Sequence, residues 1–104
     1  MVFKIKLLLS AQKDLEEAIE YYNQVNNKLS LKFYSEFLEL NNLLEKNPFF
    51  EIRYNEIRTY NLKSFPYVVH FIINENLNLV IILAIVFGKM EKNKFQNRIP
   101  NYNI

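Results

Sequence analysis

The only histidine of the chain, His70, lies inside the apolar alternating stretch SFPYVVHF at residues 64–71. Histidine is the side chain most often used as a general base near neutral pH. Catalytic use normally requires a positioned partner, and neither a Ser/His/Asp pattern nor a second metal ligand at a typical spacing accompanies this residue. His70 is therefore predicted to be a structural, hydrogen-bonded residue of a strand, and no metal site or cofactor is expected.

Charged side chains of opposite sign collect near the two ends of the chain. Glu16, Glu17 and Glu20 could in principle supply paired carboxylates for acid-base chemistry, but their spacing is typical of a solvated helix face. From about residue 88 the chain turns basic, and GKMEKNKFQNR carries one acid against Lys89, Lys92, Lys94 and Arg98. A net charge of only +2 does not demand a nucleic-acid partner, and a solvated tail is the simplest interpretation.

Length and composition indicate one globular domain over residues 1–104. The absence of cysteine excludes disulfides, thiolate zinc sites and thiol nucleophiles, and it fits a reducing cytoplasm. The longest apolar run, LVIILAIVF, is well below the ~20 residues that a membrane-spanning helix needs. The stretch Met1–Leu9 is followed by no cleavage site typical of a signal peptide. A cytoplasmic location without a membrane partner is expected.

The hydrophobic pattern predicts the elements that must position these side chains. Alternation in VFKIKLLLS indicates a strand, and Ser10 is a suitable N-cap for a helix to about Gln24. A second amphipathic helix is expected to end at Asn47-Pro48. A period of two then marks three strand regions, FEIRY with IRTYNLKSF, PYVVHFIIN and LNLVIILAIVF, with Asn74 and Asn76 in left-handed turn positions. The predicted fold class is α+β, in the order β-α-α-β-β-β, with the N-terminal helix hairpin packed on one face of an antiparallel sheet.

The predicted packing of the helix hairpin on the sheet leaves two apolar surfaces uncovered. The last strand is apolar on both faces, with Leu79, Ile81, Leu83, Ile85 and Phe87 expected on one of them. On the second helix, Leu31, Tyr34 and Leu38 project away from the core stripe. Either the first helix covers the helical surface while the tail folds over the sheet, or a bound partner covers both. The tail residues that would fold over the sheet are Phe95, Ile99 and Tyr102.

Three stretches, SAQKDLEEAIEYYNQ, KNPFFEIRYNEIRTYNLKSFPYVVHFIINEN and LVIILAIV, together resemble toxins of the RelE/ParE superfamily from bacterial type II toxin-antitoxin modules. The resemblance covers residues 3 to about 95 and implies a cognate antitoxin as partner. It also implies one of two activities. RelE-like members cut mRNA in the ribosomal A site, using lysines and arginines to activate the ribose 2′-hydroxyl and to stabilise the phosphorane. ParE-like members poison DNA gyrase by binding, with no chemistry of their own established.

Few of the catalytic cations implied by the resemblance to RelE-like nucleases have a counterpart in this sequence. Arg58 is a cation where the nucleases place a lysine, but Tyr60, Tyr67 and Met90 stand where further cations are expected. Lys63, Lys89 and Lys92 could substitute with shifted geometry. The chain also departs from the ParE-type ending of a histidine, an arginine, a proline and a tryptophan, which puts any function of that histidine-arginine pair in doubt. The residues at those four positions are Phe87, Met90, Lys92 and Phe95.

The resemblance therefore favours a ParE-like toxin that inhibits gyrase by binding and is neutralised by an antitoxin. Its implied target contacts are Arg58, Lys89, Lys92 and Lys94, and its antitoxin contacts are Leu31, Tyr34 and Leu38. One alternative is a RelE-like ribosome-dependent mRNA endonuclease, with the ribosome and mRNA as partners and catalytic cations at Arg58, Lys63 and Lys89. The other alternative is a degenerate, inactive toxin scaffold.

Overall fold

The computed structural model describes residues 2–88 and 98–99 of the chain. Its elements are β1 (Lys4–Leu7), α1 (Leu9–Val25), α2 (Asn27–Lys46), β2 (Ile52–Tyr54), β3 (Ile57–Asn61), β4 (Tyr67–Asn74), a short 3-10 helix (Glu75–Leu77) and β5 (Leu79–Phe87). Within these residues the strands form one sheet in the order β1-β5-β4-β3-β2. The predicted α+β class is confirmed, with the helix hairpin packed on one sheet face. The sheet is mixed, because β1 pairs with β5 in parallel while the other neighbours are antiparallel.

The additional strand β2 arises from a tight turn that the apolar pattern does not reveal. Asn55 has a φ of 50°, and this left-handed conformation reverses the chain between β2 and β3. Asparagine tolerates such a conformation better than most residues. A second asparagine, Asn78, has the same φ before β5. The prediction of left-handed Asn74 and Asn76 is wrong. Asn74 is extended and its Oδ1 accepts from the Leu77 N–H at 3.2 Å, and Asn76 lies within the 3-10 helix.

The helix boundaries follow the predicted signals with one exception. Helix α1 begins at Leu9, so Ser10 lies within the first turn and is not the N-cap. Its hydroxyl donates instead to the Leu83 carbonyl at 3.4 Å. One residue, Asn26, separates the helices, and its Oδ1 caps α2 by accepting from the Lys28 N–H at 2.9 Å. Helix α2 ends at Lys46, directly before the predicted Asn47-Pro48 stop.

Each face of the sheet carries a hydrophobic cluster. The cluster between the helices and the sheet includes Phe33, Phe37 and Phe71. The cluster on the opposite face has at its centre Tyr54, Ile57, Ile72, Ile81, Leu83 and Ala84. Ile99 packs against this second cluster, as the tail alternative predicted, whereas Phe95 and Tyr102 lie outside the described residues. The central residues of the second face are therefore buried within the chain.

A β-bulge in β5 changes which side chains share a face. His70 pairs with Ala84 and Phe71 pairs with Ile82, so Leu83 is an extra residue on β5. Leu83 and Ala84 consequently both belong to the second cluster, while Ile85 joins the helix-side cluster. The prediction that Ile85 shares a face with Leu83 is wrong for this reason. Along residues 2–88 and 98–99, neither helix combines the length and the apolar content that a bilayer span requires.

Candidate functional site

An exposed apolar surface lies on the outer side of the helix hairpin. Leu31, Tyr34 and Leu38 of α2, which we call the α2 patch, are 68%, 44% and 43% exposed. They lie within about 60° of one another on the helix, at 3.6 residues per turn. The opposite side of α2 is buried through Phe33 and Phe37. Helix α1 therefore does not cover the α2 patch, which offers a preformed surface to a partner.

The fold holds apart the two cationic candidates that lie within the described residues, Arg58 and Lys63. Arg58, near the start of β3, donates from Nε to the Phe50 carbonyl at 2.6 Å. Its guanidinium also lies 5.6 Å from the centre of the Phe49 ring. Lys63 follows the other end of β3 and is exposed. Arg58 and Lys63 therefore do not form one compact cationic site. Of the remaining candidate cations, Lys89, Lys92 and Lys94 lie outside the described residues.

Lys63 borders a shallow cavity of about 190 Å³ beside α2. Glu36 and Glu39 line the same cavity, and the Glu36 carboxylate accepts from the Ser64 N–H at 3.1 Å. These carboxylates would repel the phosphates of an RNA substrate. These surroundings are typical of an ordinary surface lysine. They do not suit a catalytic lysine that stabilises a phosphorane.

The predicted structural role of His70 agrees with its position in β4. The side chain is fully buried on the second sheet face, and its Nδ1 forms a hydrogen bond with the Tyr54 hydroxyl at 3.2 Å. The two rings lie 6.1 Å apart at an angle of 69°. Because Tyr54 belongs to β2, this hydrogen bond connects the edge of the sheet to its centre. Within residues 2–88 and 98–99, no three or more His, Asp or Glu side chains are arranged to hold a metal ion.

A polar network forms around the β5 bulge. The Asp14 carboxylate of α1 accepts from the Ile85 N–H at 3.1 Å. Arg98 donates to the same carboxylate oxygen at 3.1 Å and to the Leu83 carbonyl at 3.0 Å. The pairing of β5 with β1 ends at Ile82, and beyond that point side chains satisfy these backbone groups. The sequence carries no local signal for this network, because nothing in the pattern around Asp14 relates it to residues 83–85 or 98.

We expect Asp14→Ala to lower the free energy of unfolding by about 1–3 kcal/mol, the usual cost of leaving a partly buried donor unsatisfied. The substitution removes the acceptor of both the Ile85 N–H and Arg98. Urea denaturation followed by circular dichroism measures the change. Glu16→Ala is the matched control, since Glu16 is exposed on the same helix. Equal losses in the two variants would contradict the role of Asp14 at the bulge.

Comparisons with known proteins show the family through one match and the fold through another. A family model described as the ParE toxin of type II toxin-antitoxin systems, parDE, matches residues 5–91. A solved structure from the chromosomal ParDE TA system of P. aeruginosa superposes with a TM-score of 0.70 at 19% identity. That match covers 85% of this chain and 98% of the other, and at this identity it shows a shared fold. No curated protein matches the sequence. Because the family model matches most of its length, the chain belongs to the ParE toxin family of type II toxin-antitoxin systems.

Proposed function

We propose that this toxin acts by binding DNA gyrase and blocking supercoiling, and that a cognate antitoxin silences it by covering the α2 patch. The observation that carries the first half is the packing at two positions where RelE-like nucleases are expected to place cations. Tyr60 packs against Phe50 at 5.4 Å between ring centres, and Tyr67 packs against Phe33 at 5.0 Å. Both rings contact the helix-side cluster and supply hydrophobic contact in place of charge.

The loss of fixed cations weighs against an RNA-cleaving activity. Removing one preorganised charge-stabilising donor typically reduces kcat by about 10²–10³-fold. Arg58 is the remaining candidate of the nuclease set on β3 and β4, and its Nε is already used by the Phe50 carbonyl. Inhibition by protein binding has no such requirement, because it needs complementary surfaces and not a stabilised transition state.

Inducing the toxin without an antitoxin tests this proposal in cells. We expect growth arrest accompanied by relaxed plasmid DNA and a DNA-damage response, while ribosome-associated messages stay intact. Codon-phased cuts in those messages, together with normally supercoiled plasmids, would contradict the proposal and favour the RelE-like alternative. Normal growth with a folded, soluble protein would favour the inactive scaffold.

The cations proposed to contact gyrase are Arg58, Lys89, Lys92 and Lys94. We expect single alanine replacements of the lysines to weaken gyrase inhibition only a few-fold, because exposed charge contacts contribute about 0.2–1 kcal/mol each. Arg58→Ala is also expected to weaken gyrase inhibition only a few-fold, when its inhibition is compared at equal concentrations of folded protein. The difference in inhibition between each variant and the wild type should become smaller at high salt, because salt already screens the charge contacts of the wild type. Inhibition titrations at two salt concentrations measure it, and complete loss in a folded Arg58→Ala variant would point to catalysis.

His70 has no proposed part in target binding, because it is fully buried and hydrogen-bonded to Tyr54. We expect His70→Gln to leave growth inhibition within a few-fold of wild type and to reduce stability by roughly 1 kcal/mol. Induced growth curves and thermal melts measure the two effects separately. A folded His70→Gln variant whose toxicity falls by orders of magnitude would place His70 in the functional site.

A further inference from the structure

Three aromatic side chains line an open cavity where α1 passes the end of β5. Tyr21 of α1, Tyr67 of β4 and Phe87 of β5 enclose about 300 Å³, which we call the aromatic pocket. Tyr67 and Phe87 have ring centres 5.5 Å apart and planes at 80°, so they form two perpendicular walls. Tyr21 is 58% exposed and Phe87 is 68% exposed. Much of the ring surface is therefore available to a ligand.

The aromatic pocket is built on the core and is not a mobile loop. Tyr67 packs against Phe33 at 5.0 Å, and Tyr21 packs edge-on against Tyr22 at 5.0 Å. Tyr67 and Phe87 are directly paired in the register of β4 and β5. Walls held in place in this way cost little ordering entropy when a ligand binds.

A carboxylate gives the aromatic pocket a negative character. Glu17 precedes Tyr21 by four residues on α1, so the two side chains are neighbours on one helix face. Burial is the main cause of the raised pKa of Tyr67, and the charges of Tyr22, Tyr21 and Glu17 raise that pKa further.

Aromatic ring faces beside a carboxylate favour a cation over an anion or a neutral apolar group. Ring faces attract cations, and the attraction is strongest where water is partly excluded. An arginine suits such a site best, because its planar guanidinium can stack on a ring while its N–H groups donate to a carboxylate. An anionic group such as a phosphate would be repelled by Glu17.

We propose that the aromatic pocket binds an arginine side chain of the antitoxin, with the guanidinium against Tyr67 and Phe87 and directed towards Glu17. The identity of the partner rests on the proposed function, whereas the preference for a guanidinium rests on the pocket itself. The aromatic pocket would then fix the antitoxin at a second point, separate from the α2 patch.

The pocket chemistry can be tested on the full chain with a small probe. N-acetyl-arginine amide is titrated into the protein while NMR follows the ring protons of Tyr21, Tyr67 and Phe87. We expect saturable shifts at these rings, at least tenfold weaker binding of the neutral N-acetyl-citrulline amide, and weaker arginine binding at high salt. Equal binding of the two probes, or arginine shifts located elsewhere, would overturn the proposal.

Variants with matched controls sharpen this result. Glu17→Gln is expected to weaken arginine binding several-fold, while Glu16→Gln, exposed on the same helix, leaves it unchanged. Phe87→Ala is expected to remove binding, while Leu77→Ala, at an exposed residue of similar apolar character, does not.

The antitoxin complex separates this proposal from the proposed function. We take the protein encoded in the adjacent reading frame as the candidate antitoxin, and expect Phe87→Ala and Glu17→Gln each to raise its Kd about tenfold. Unchanged Kd values in a complex that still forms would overturn the pocket proposal and leave the proposed function intact. If the adjacent protein forms no complex although the arginine probe binds, the assignment to an antitoxin is wrong.

Discussion

Leu38→Asp is expected to weaken antitoxin binding by at least 100-fold. Leu38 is 43% exposed and lies between one and two helical turns from Tyr34 and Leu31, so a partner helix or strand would bury it in an apolar contact. Placing a carboxylate there removes the contact and leaves a desolvated charge, and losses above about 2 kcal/mol are typical of such interface centres. A 100-fold loss corresponds to about 2.8 kcal/mol.

Titration calorimetry with the neighbouring gene's product measures the loss, and a thermal melt checks that the variant is folded. Leu43→Asp is the matched control, because Leu43 is 40% exposed on the same helix but lies about 140° away from Leu38. It should leave Kd within a few-fold of wild type. Wild-type affinity in Leu38→Asp, or equal losses in the two variants, would mean that the α2 patch is not the antitoxin site.

Phe33→Ala is expected to lower the free energy of unfolding by about 3–5 kcal/mol, as is typical when a large buried side chain leaves a cavity. Phe33 is fully buried, and its ring centre lies 5.6 Å, 5.1 Å and 5.0 Å from those of Tyr22, Phe65 and Tyr67. It therefore connects α2 to α1 and to the sheet at one point. Since small domains have only about 5–15 kcal/mol of stability, this single change removes a large share of it.

Urea denaturation followed by far-UV circular dichroism measures this loss. Phe87→Ala serves as the control, because Phe87 is 68% exposed and its removal opens no internal cavity. We expect that variant to lose less than about 1 kcal/mol. Comparable losses in the two variants would show that the aromatic cluster around Phe33 does not hold the helix hairpin on the sheet.

The elements were predictable wherever the chain carries a local signal. The Asn47-Pro48 stop and the helical spacing of apolar residues placed α2 correctly, because proline geometry and burial act within a few residues. Strand β2 was not separated from β3, because the reversal depends on one left-handed asparagine, Asn55. The bulge in β5 was not predicted either. Both faces of that strand are apolar, so alternation carries no information about where its phase changes.

Among the candidate sites, too, only those that depend on a local sequence pattern could be predicted. The exposure of Leu31, Tyr34 and Leu38 followed from helical periodicity, which is a local property. The contact between Asp14 and Arg98 joins residues 84 positions apart, and Arg98 also donates to the Leu83 carbonyl. The aromatic pocket likewise combines side chains from three elements. Such sites depend on tertiary placement, so no local pattern in the sequence could indicate them.

Supercoiling by purified gyrase tests the central claim most directly. Relaxed plasmid, ATP and gyrase are incubated with increasing amounts of the purified toxin, and the same preparation is added to a translating extract in which mRNA ends are mapped. We predict that supercoiling stops in a concentration-dependent manner, that the antitoxin restores it, and that the messages stay intact. Full supercoiling at saturating toxin, with codon-phased cuts in the messages, would contradict the account.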